Sequence, residues 1–247
     1  MFYYQNLQLA FSHTDYLNSE QAKTPLEHFW AMSIQGQFYV IWFILFSFIV
    51  LLWKKLKTIH IHTTINIILI VLFLSSLTFS IFQTSTNQQF AYFNPVARVW
   101  QFALGGLVYL NLFKIKIPVM LSNILGWIGL VGLILTGIIF DVSTMFPGYV
   151  ALWPMTCAIL ILLSGNDPSH FGVEALLSRP ILMKLGGISF GIYLWHWVLL
   201  SFYKYTVDTH ISTLIGIGII LLSIALSAIT TNSVSYTHLR AHETSLH

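Results

Sequence analysis

A stripe of polar side chains crosses one of the most apolar stretches of the chain. Ser189, Tyr193, His196 and Tyr203 follow spacings of four, three and seven residues, which places them on one side of a helix. An imidazole among hydroxyl groups can act as a general base or acid toward a substrate hydroxyl. The alternative is a neutral histidine that those hydroxyls satisfy in a structural network. In both interpretations the stripe needs partners from other helices, so it faces the interior of a bundle.

Arg98 is the second group that could do chemistry. It follows a helix start signal, with Asn94 as the N-cap and Pro95 at the first helical position. A cation in the first turn opposes the helix dipole, so its placement indicates an anion or several carbonyl oxygens opposite it. Arg98, Gln101 and Gly105 would share one face of this helix. The alternative is that Arg98 extends to the lipid head groups.

A third polar group precedes the first long apolar run. His28, Gln35 and Tyr39 are seven and four residues apart and would share a face if the helix extends that far. Such a face could bind a polar substrate at the membrane surface. The alternative is an interfacial belt, with Trp30 and Tyr39 at the level of the head groups and His28 in solvent.

The amino-acid composition indicates the class of protein in which these polar groups lie. Hydrophobic residues make up 56% of the 247 residues and charged residues 8%, against roughly 25% charged residues in soluble proteins. The mean hydropathy is +0.77. A net charge of +3, with no glycine-rich phosphate loop or long basic tract, excludes a nucleic-acid partner. The sequence therefore predicts an all-α, multi-pass integral membrane bundle.

The chain offers seven apolar runs that could cross a bilayer core roughly 30 Å thick. Alternate connections carry most of the basic residues, so those connections should be cytoplasmic, the N-terminus extracytoplasmic and the C-terminus cytoplasmic. The fifth run is short, and Pro154 is expected to break it. The runs lie near 35–53, 63–82, 96–112, 123–140, 149–164, 184–203 and 211–231, and the basic residues are Lys54, Lys55, Lys57, Lys114, Lys116, Arg179 and Lys184.

The polar ends suggest how the chain is organised. We expect an extracytoplasmic loop at 1–34, a partial membrane domain at 35–231, and an anomalous tail at 232–247 that does not belong to the native protein. The first segment lacks the features of a signal peptide, so we expect the chain to begin inside a longer protein. In the tail, His238 and His242 lack the further ligands of a zinc site, and no metal is expected.

Small residues predict where helices approach closely. The glycines of GWIGLVG (126–132) recur every three residues, and Gly187 and Gly191 are four apart. The pair Gly105 and Gly106 would also admit another helix or a substrate. The single cysteine, Cys157, lies in an apolar run and is interpreted as a small core residue.

Three segments together resemble one known family. PLEHFWAMSIQGQFYVIW (25–42) is similar to the "LHTWSLxxEEQFYLxWP" segment of the membrane acyltransferase 3 family. FNPVARVWQFALGG (93–106) resembles its "TRxWELxxG" segment, and ISFGIYLWHW (188–197) resembles its "SYxxYLWHWP" segment. All three occur in the family's order, and the resemblance covers roughly residues 6–231. It implies a fragment that lacks the family's N-terminal spans.

The resemblance implies an acyltransferase that transfers groups other than aminoacyl groups. The enzyme would sit in the membrane lipid and move an acyl group, commonly acetyl, to a hydroxyl of a cell-envelope or secreted carbohydrate. The cytosolic donor would be acyl-CoA, which is a substrate, and no bound cofactor is expected. The basic clusters between the apolar runs could bind the donor's phosphates, although topology alone explains them. The competing class is a polytopic transporter of a small anionic or sugar substrate, although no internal repeat is evident.

The resemblance also assigns roles to individual residues. His196 would be the acid-base or positioning residue, and Tyr193 its partner. Arg98 would anchor the acyl donor or the oxyanion, and His28 would orient the acceptor at the outer face. The expected substrate-binding residues are Trp30, Gln37, Tyr39, Trp100, Gln101 and Ser189, and Phe38 also matches the family's first motif.

The chain departs from the family's pattern at its carboxylates. Gln35 and Gly36 stand where the first motif has acidic residues, and Gln101 does so in the second. Acid-base chemistry would therefore rest on histidine or tyrosine. The family's early Arg and His pair is also absent from this chain. We therefore expect the isolated chain to be catalytically incomplete.

Overall fold

Helices account for all the regular secondary structure in the described part of this computed structural model. The all-α prediction is therefore confirmed. Lys57, Lys114 and Lys116 lie outside the described residues, as do the side chains of His238 and His242. The structure describes residues 3–11, 25–56, 60–112, 115, 117–139, 146–165, 169–207 and 210–244, with only the backbone beyond residue 233.

The described α-helices follow the predicted apolar runs, with short helices added between them. Three single turns of 3₁₀-helix, at Glu27–Phe29, Val96–Arg98 and Tyr149–Ala151, lead into longer helices. The α-helices are α1 (Gln5–Phe11), α2 (Trp30–Leu56), α3 (Ile61–Thr86), α4 (Gln88–Phe93), α5 (Val99–Asn111), α6 (Val119–Ile139), α7 (Leu152–Ser164), α8 (Val173–Leu177), α9 (Pro180–Thr206) and α10 (Thr213–Thr244).

Five helices, α2, α3, α6, α9 and α10, are long and apolar enough to cross a membrane. The multi-pass membrane class is confirmed, with five such helices among the described residues against the seven runs expected. The other two runs form α5 and α7, which have 13 residues each. At 1.5 Å per residue they are about 20 Å long, shorter than a bilayer core of roughly 30 Å.

Pro154 does not break the fifth run, and this prediction was wrong. The proline is the third residue of α7. The first turn of a helix tolerates proline because its backbone N–H groups have no partner within the helix. Helix α7 is shorter than the run because the first three residues of the run form a 3₁₀ turn.

The two polar ends are more helical than the sequence suggests. The segment 1–34, expected as a loop, contains α1 and the start of α2. Helix α1 forms because Leu9 and Ala10 are buried against Trp30 and Phe93. At the other end, the backbone of α10 continues to Thr244, through the residues expected to form a separate tail.

The chain divides into two compact units, and the first comprises residues 1–17 and 29–176. Within it α3 packs on α5, and α6 packs on α7. A Cβ at Gly129 would lie 2.6 Å from the carbonyl oxygen of Cys157, and one at Gly132 would lie 2.7 Å from its Sγ. Gly126 is equally crowded by Ser164 and Val173. The packing role of GWIGLVG is confirmed, and Cys157 is a buried core residue.

The second unit comprises residues 18–28 and 177–247, and its main contact joins α9 to α10. Ser227 donates a hydrogen bond to the carbonyl of Ile188 at 2.6 Å, which requires a small residue at Gly191. Trp195 Nε1 adds a hydrogen bond to Thr230 at 3.4 Å. The packing prediction is confirmed for Gly191.

In the described part of the chain, no helix packs closely at two other glycines, so the expectation of helix packing was wrong there. No described residue lies within 4 Å of a Cβ built at Gly187 or at Gly105. The expectation that a substrate approaches Gly105 stays a prediction. Gly106 does admit a neighbour, because Leu69 of α3 lies 3.1 Å from such a Cβ. The contact of α3 with α5 therefore depends on one glycine of the pair.

Alanine at Gly129 tests the packing of α6 on α7. We expect Gly129→Ala to destabilise the protein by about 1–3 kcal/mol, because the added methyl group overlaps the Cys157 backbone. The matched control is Gly137→Ala on the same helix, where the methyl group meets no described residue within 4 Å. Thermal unfolding of the detergent-purified variants measures the difference. Equal melting temperatures would contradict the packing role.

Candidate functional site

The second unit brings two histidines and a tyrosine together. Tyr193, His196 and Trp197 lie within one turn of α9, and the 3₁₀ turn Glu27–Phe29 places His28 against them. The ring centroids of His28 and Tyr193 are 5.2 Å apart, and those of Tyr193 and His196 are 6.1 Å apart. Trp197 lies 6.2 Å from His28. Three of the four expected catalytic residues therefore form one cluster.

A hydrogen bond from Tyr193 holds the turn that carries His28. The Tyr193 hydroxyl donates to the backbone carbonyl of His28. The His28 residue is 1% exposed, so its imidazole is enclosed. The sequence predicted Tyr193 as the partner of His196. In the structure its hydroxyl bonds to the backbone of the other histidine, and its contact with His196 is between rings.

The backbone of α9 sets the tautomer of His196. Its Nδ1 lies 3.0 Å from the carbonyl oxygen of Ile192, one helical turn earlier. A carbonyl oxygen only accepts hydrogen bonds, so Nδ1 carries the proton. In the neutral ring the lone pair is then on Nε2. A half-buried imidazole with this tautomer can accept a proton from a substrate hydroxyl.

Ser189, the first residue of the predicted stripe, uses its hydroxyl within its own helix. Its Oγ donates to the carbonyl of Gly186 at 2.7 Å, and the residue is exposed. Tyr203, at the other end of the stripe, is half-buried. The expectation that the whole stripe faces the interior of a bundle was therefore wrong at Ser189, and the contact with His28 involves only the middle of the stripe.

In the first unit, the α-helix predicted to start after Asn94 begins only at Val99, so that prediction was wrong, and the 3₁₀ turn Val96–Arg98 precedes it. Asn94 still caps that turn. Its side-chain oxygen accepts a hydrogen bond from the Val96 N–H at 2.9 Å, and Pro95 opens the 3₁₀ turn. Ser76 of α3 also forms hydrogen bonds to the backbone of this region. Its Oγ accepts from the Trp100 N–H at 3.0 Å and donates to the Val96 carbonyl at 2.5 Å. The backbone around Arg98 is therefore held on both sides.

The guanidinium of Arg98 lies among three aromatic rings. Its Cζ is 5.1 Å from the ring centroid of Trp30, 5.0 Å from that of Tyr92 and 4.9 Å from that of Phe146. Nε and Nη2 both donate to the Tyr92 carbonyl, at 3.2 and 2.9 Å. Arg98 is 8% exposed, and no carboxylate among the described residues pairs with it. We call these four side chains the arginine cage.

The cage holds a charged arginine. Burial lowers the pKa of the Arg98 guanidinium to about 10, and the neighbouring Tyr92 opposes that shift. Because this pKa is above 7, the side chain remains a cation at neutral pH. Burial also raises the pKa of the Tyr92 phenol, against the effect of Arg98, so the phenol stays neutral.

Other residues that were expected to bind substrate make contacts within the protein. Gln37 Nε2 donates to the Tyr3 carbonyl at 2.6 Å and to Asn6 Oδ1 at 3.0 Å, which ties the start of the chain to α2. Trp100 is fully buried, with its ring centroid 6.2 Å from that of Phe73. Phe38 is likewise buried, stacked on Phe102, while Gln101 is half-buried.

The expected polar face of His28, Gln35 and Tyr39 does not form. Gln35 donates to the Tyr39 hydroxyl at 2.6 Å, and both residues are exposed. His28 is buried instead. The physical reason is that His28 belongs to a 3₁₀ turn, so it does not continue the 3.6-residue period of the helix that follows.

Two residues of the arginine cage were missed by the sequence analysis. Tyr92 lies six residues before Arg98, in an aromatic stretch that could have indicated a contact. Phe146 lies 48 positions after Arg98 in a connection between helices, and no local pattern links the two.

The sequence profile of the family described as an acyltransferase domain matches residues 2–232. The chain belongs to this family. The match covers both the histidine cluster and the arginine cage. It confirms the family resemblance of the three motifs. No solved structure matches this acyltransferase domain.

Relatives of this acyltransferase domain are bacterial proteins of greater length. BcsY of Komagataeibacter xylinus, described as a candidate membrane-bound transacylase, is 27% identical over 188 residues, covering 76% of this chain and 45% of BcsY. A candidate O-acetyltransferase of Staphylococcus aureus strain COL is 26% identical, covering 76% of the chain and 32% of that protein. The peptidoglycan O-acetyltransferase OatA of Listeria monocytogenes is 24% identical, covering 81% and 33%. The chain spans less than half the length of these relatives.

Removal of the Tyr193 hydroxyl tests how His28 is held. We expect Tyr193→Phe to lower the stability of the protein by about 0.5–1.5 kcal/mol, because the His28 carbonyl loses its donor. The control is Tyr205→Phe on the same helix, where the tyrosine is 81% exposed. Thermal unfolding in detergent measures both variants. If the two variants melt alike, the hydrogen bond does not hold the turn.

Proposed function

We propose that the protein transfers an acyl group, acetyl in the first instance, to a hydroxyl of a cell-surface or secreted carbohydrate. Acetyl-CoA on the cytosolic side is the proposed donor. Membership of the acyltransferase family and five apolar helices support membrane acyl transfer. The observation that carries the proposal is the geometry of His196, with Nδ1 fixed on Ile192 and Nε2 left to accept a proton.

In the proposed reaction, His196 Nε2 takes the proton of the acceptor hydroxyl. The hydroxyl oxygen attacks the thioester carbonyl of the donor and forms a tetrahedral intermediate with a negative oxygen. When the carbon–sulfur bond breaks, the thiolate leaves with the bonding electrons, and the imidazolium returns the proton to it. The products are a carbohydrate ester and a free thiol. The Nδ1–H bond to the backbone keeps the imidazole oriented throughout.

His28 and Tyr193 are proposed to shape the place where the acceptor hydroxyl binds. The buried His28 ring and the Tyr193 ring stand edge to face, at an interplanar angle of 63°. Aromatic walls of this kind exclude water, which would otherwise compete with the carbohydrate for the acyl group. Ser189 in the second unit, and Tyr39 and Gln101 in the first, remain proposed substrate-binding residues.

Arg98 is proposed to bind an anionic part of a substrate, with Trp30 as part of its surroundings. It retains its positive charge, and its hydrogen bonds to the described residues use only Nε and Nη2. Trp100 and Gln37 support this region by packing and by hydrogen bonds. We also propose an extracytoplasmic N-terminus and a cytoplasmic C-terminus, from the distribution of lysine and arginine.

Replacement of His196 tests the proposed base. In membranes of cells expressing the complete protein, we expect His196→Ala to lower transfer of labelled acetyl groups to glycan by 10²-fold or more, the usual contribution of acid-base catalysis being about 10²–10⁴. His210→Ala, at an exposed histidine of the same unit, is the control and should retain activity. Protein abundance in the membrane is measured for both variants.

Two results of this assay would contradict the proposal. Retained transfer by His196→Ala would exclude the histidine as the base. A wild-type protein that forms no ester, yet takes up a sugar or small anion saturably, would favour the transporter alternative.

Lysine in place of Arg98 tests whether the guanidinium binds substrate. We expect Arg98→Lys to lower kcat/KM about 10-fold or more, because one ammonium cannot bond to the Tyr92 carbonyl and present a second donor in the same plane. The control is Arg179→Lys, at an exposed arginine. Because Arg98 is buried, the alternative that it extends to the lipid head groups is wrong. Wild-type kcat/KM in Arg98→Lys would leave the arginine only a structural role at the Tyr92 carbonyl.

A further inference from the structure

The direction of the Arg98 guanidinium is set by the backbone of α4. Nε and Nη2 converge on the single carbonyl oxygen of Tyr92, so one edge of the guanidinium plane faces this helix. The guanidinium has five N–H donors in a fixed plane. Since one edge is bound, the N–H groups of Nη1 point away from the Tyr92 carbonyl. No described residue accepts a hydrogen bond from Nη1.

Phe146 reaches the guanidinium from a different part of the chain. Its carbonyl accepts a hydrogen bond from Gln88 Nε2 at 3.0 Å, and the carbonyl of Pro147 accepts one from Ser80 at 3.4 Å. Helices α3 and α4 therefore hold the backbone of this turn. The Phe146 ring lies 4.9 Å from Arg98 Cζ and 6.0 Å from the Tyr92 ring.

The charge in this cage has aromatic faces around it and no anion from the described protein. Ring faces attract a cation, and each such contact contributes about 0.5–2 kcal/mol, more where water is excluded. Aromatic rings carry no net charge, so they do not neutralise the guanidinium as a carboxylate would. A buried cation with unused donors is therefore suited to an anion that arrives with a ligand.

We propose that the arginine cage is a receptor for one anionic oxygen group of a substrate, a carboxylate or a phosphate, with Phe146 as its positioning residue. The inference rests on the proposed function and adds to it the class of group recognised and the role of Phe146. The group accepts hydrogen bonds from Nη1 while the rings keep water away from the pair. Phe146 fixes the plane of the guanidinium, and so the direction in which Nη1 donates.

Kinetics of Phe146 variants test the positioning role. In membranes containing the complete protein, we expect Phe146→Leu to raise KM about 10-fold for the substrate that carries the anion, with kcat within about twofold, as for loss of one desolvated cation–π contact. Phe146→Tyr should restore KM because it keeps the ring. Phe82→Leu, at a ring that is 64% exposed, is the matched control.

Separate titrations identify the source of the anion. A rise in KM for acetyl-CoA alone assigns the group to the phosphates of the donor. A rise for the carbohydrate alone assigns it to a carboxylate or phosphate of the acceptor. Unchanged KM for both, or a loss confined to kcat, overturns the positioning role. If Phe146→Leu fails to accumulate in the membrane, Phe146→Met is measured instead, because it keeps the side chain long and apolar.

Direct binding separates this inference from the proposed function. Isothermal titration of the purified complete protein with inorganic phosphate, and then with acetate, should show millimolar binding of at least one anion. Arg98→Met should abolish it. Anion binding by a protein without transfer activity would leave the inference standing and contradict the proposed function. If neither anion binds to the wild type, or both bind equally to Arg98→Met, the receptor is excluded.

Discussion

Hydrocarbon offers no hydrogen-bond partner to a polar side chain, so each polar group in an apolar helix must find its partner inside the protein. Many hydroxyls here bond to a carbonyl one turn earlier in their own helix, as Thr78 does to Leu74. Four buried serines do something different, because each donates to a carbonyl of another element. They are Ser76, Ser80, Ser122 and Ser227, which bond to Val96, Pro147, Ser164 and Ile188.

Two of these serines bear on the arginine cage. Ser76 holds the start of α5 through the Val96 carbonyl and the Trp100 N–H, on either side of Arg98. Ser80, one turn further along α3, holds the backbone next to Phe146. Helix α3 therefore positions both Arg98 and Phe146, one of the rings around its guanidinium. The cost of burying polar hydroxyls in an apolar helix is offset by hydrogen bonds that also build a candidate binding site.

The histidine cluster uses the backbone in a comparable way. Tyr193 donates to the His28 carbonyl, and His196 donates from Nδ1 to the Ile192 carbonyl. Each bond satisfies a polar group and also sets an orientation. Local periodicity could predict the second bond, because Ile192 and His196 are one turn apart on a helix. It could not predict the first, whose partners are 165 residues apart.

The sequence by itself determined the helical membrane class, the capped turn at Asn94 and Pro95 that precedes α5, and the shared face of Tyr193 and His196. These properties depend on hydropathy and on spacings within one helix, which the chain carries locally. Only the tertiary structure decided that Phe146 lies over Arg98, that His28 is buried while Gln35 is exposed, and that Gly106 packs where Gly105 does not. The reason is that contacts between distant segments depend on how helices pack, and a rotation of one residue about a helix axis, roughly 100°, exchanges a buried side chain for an exposed one.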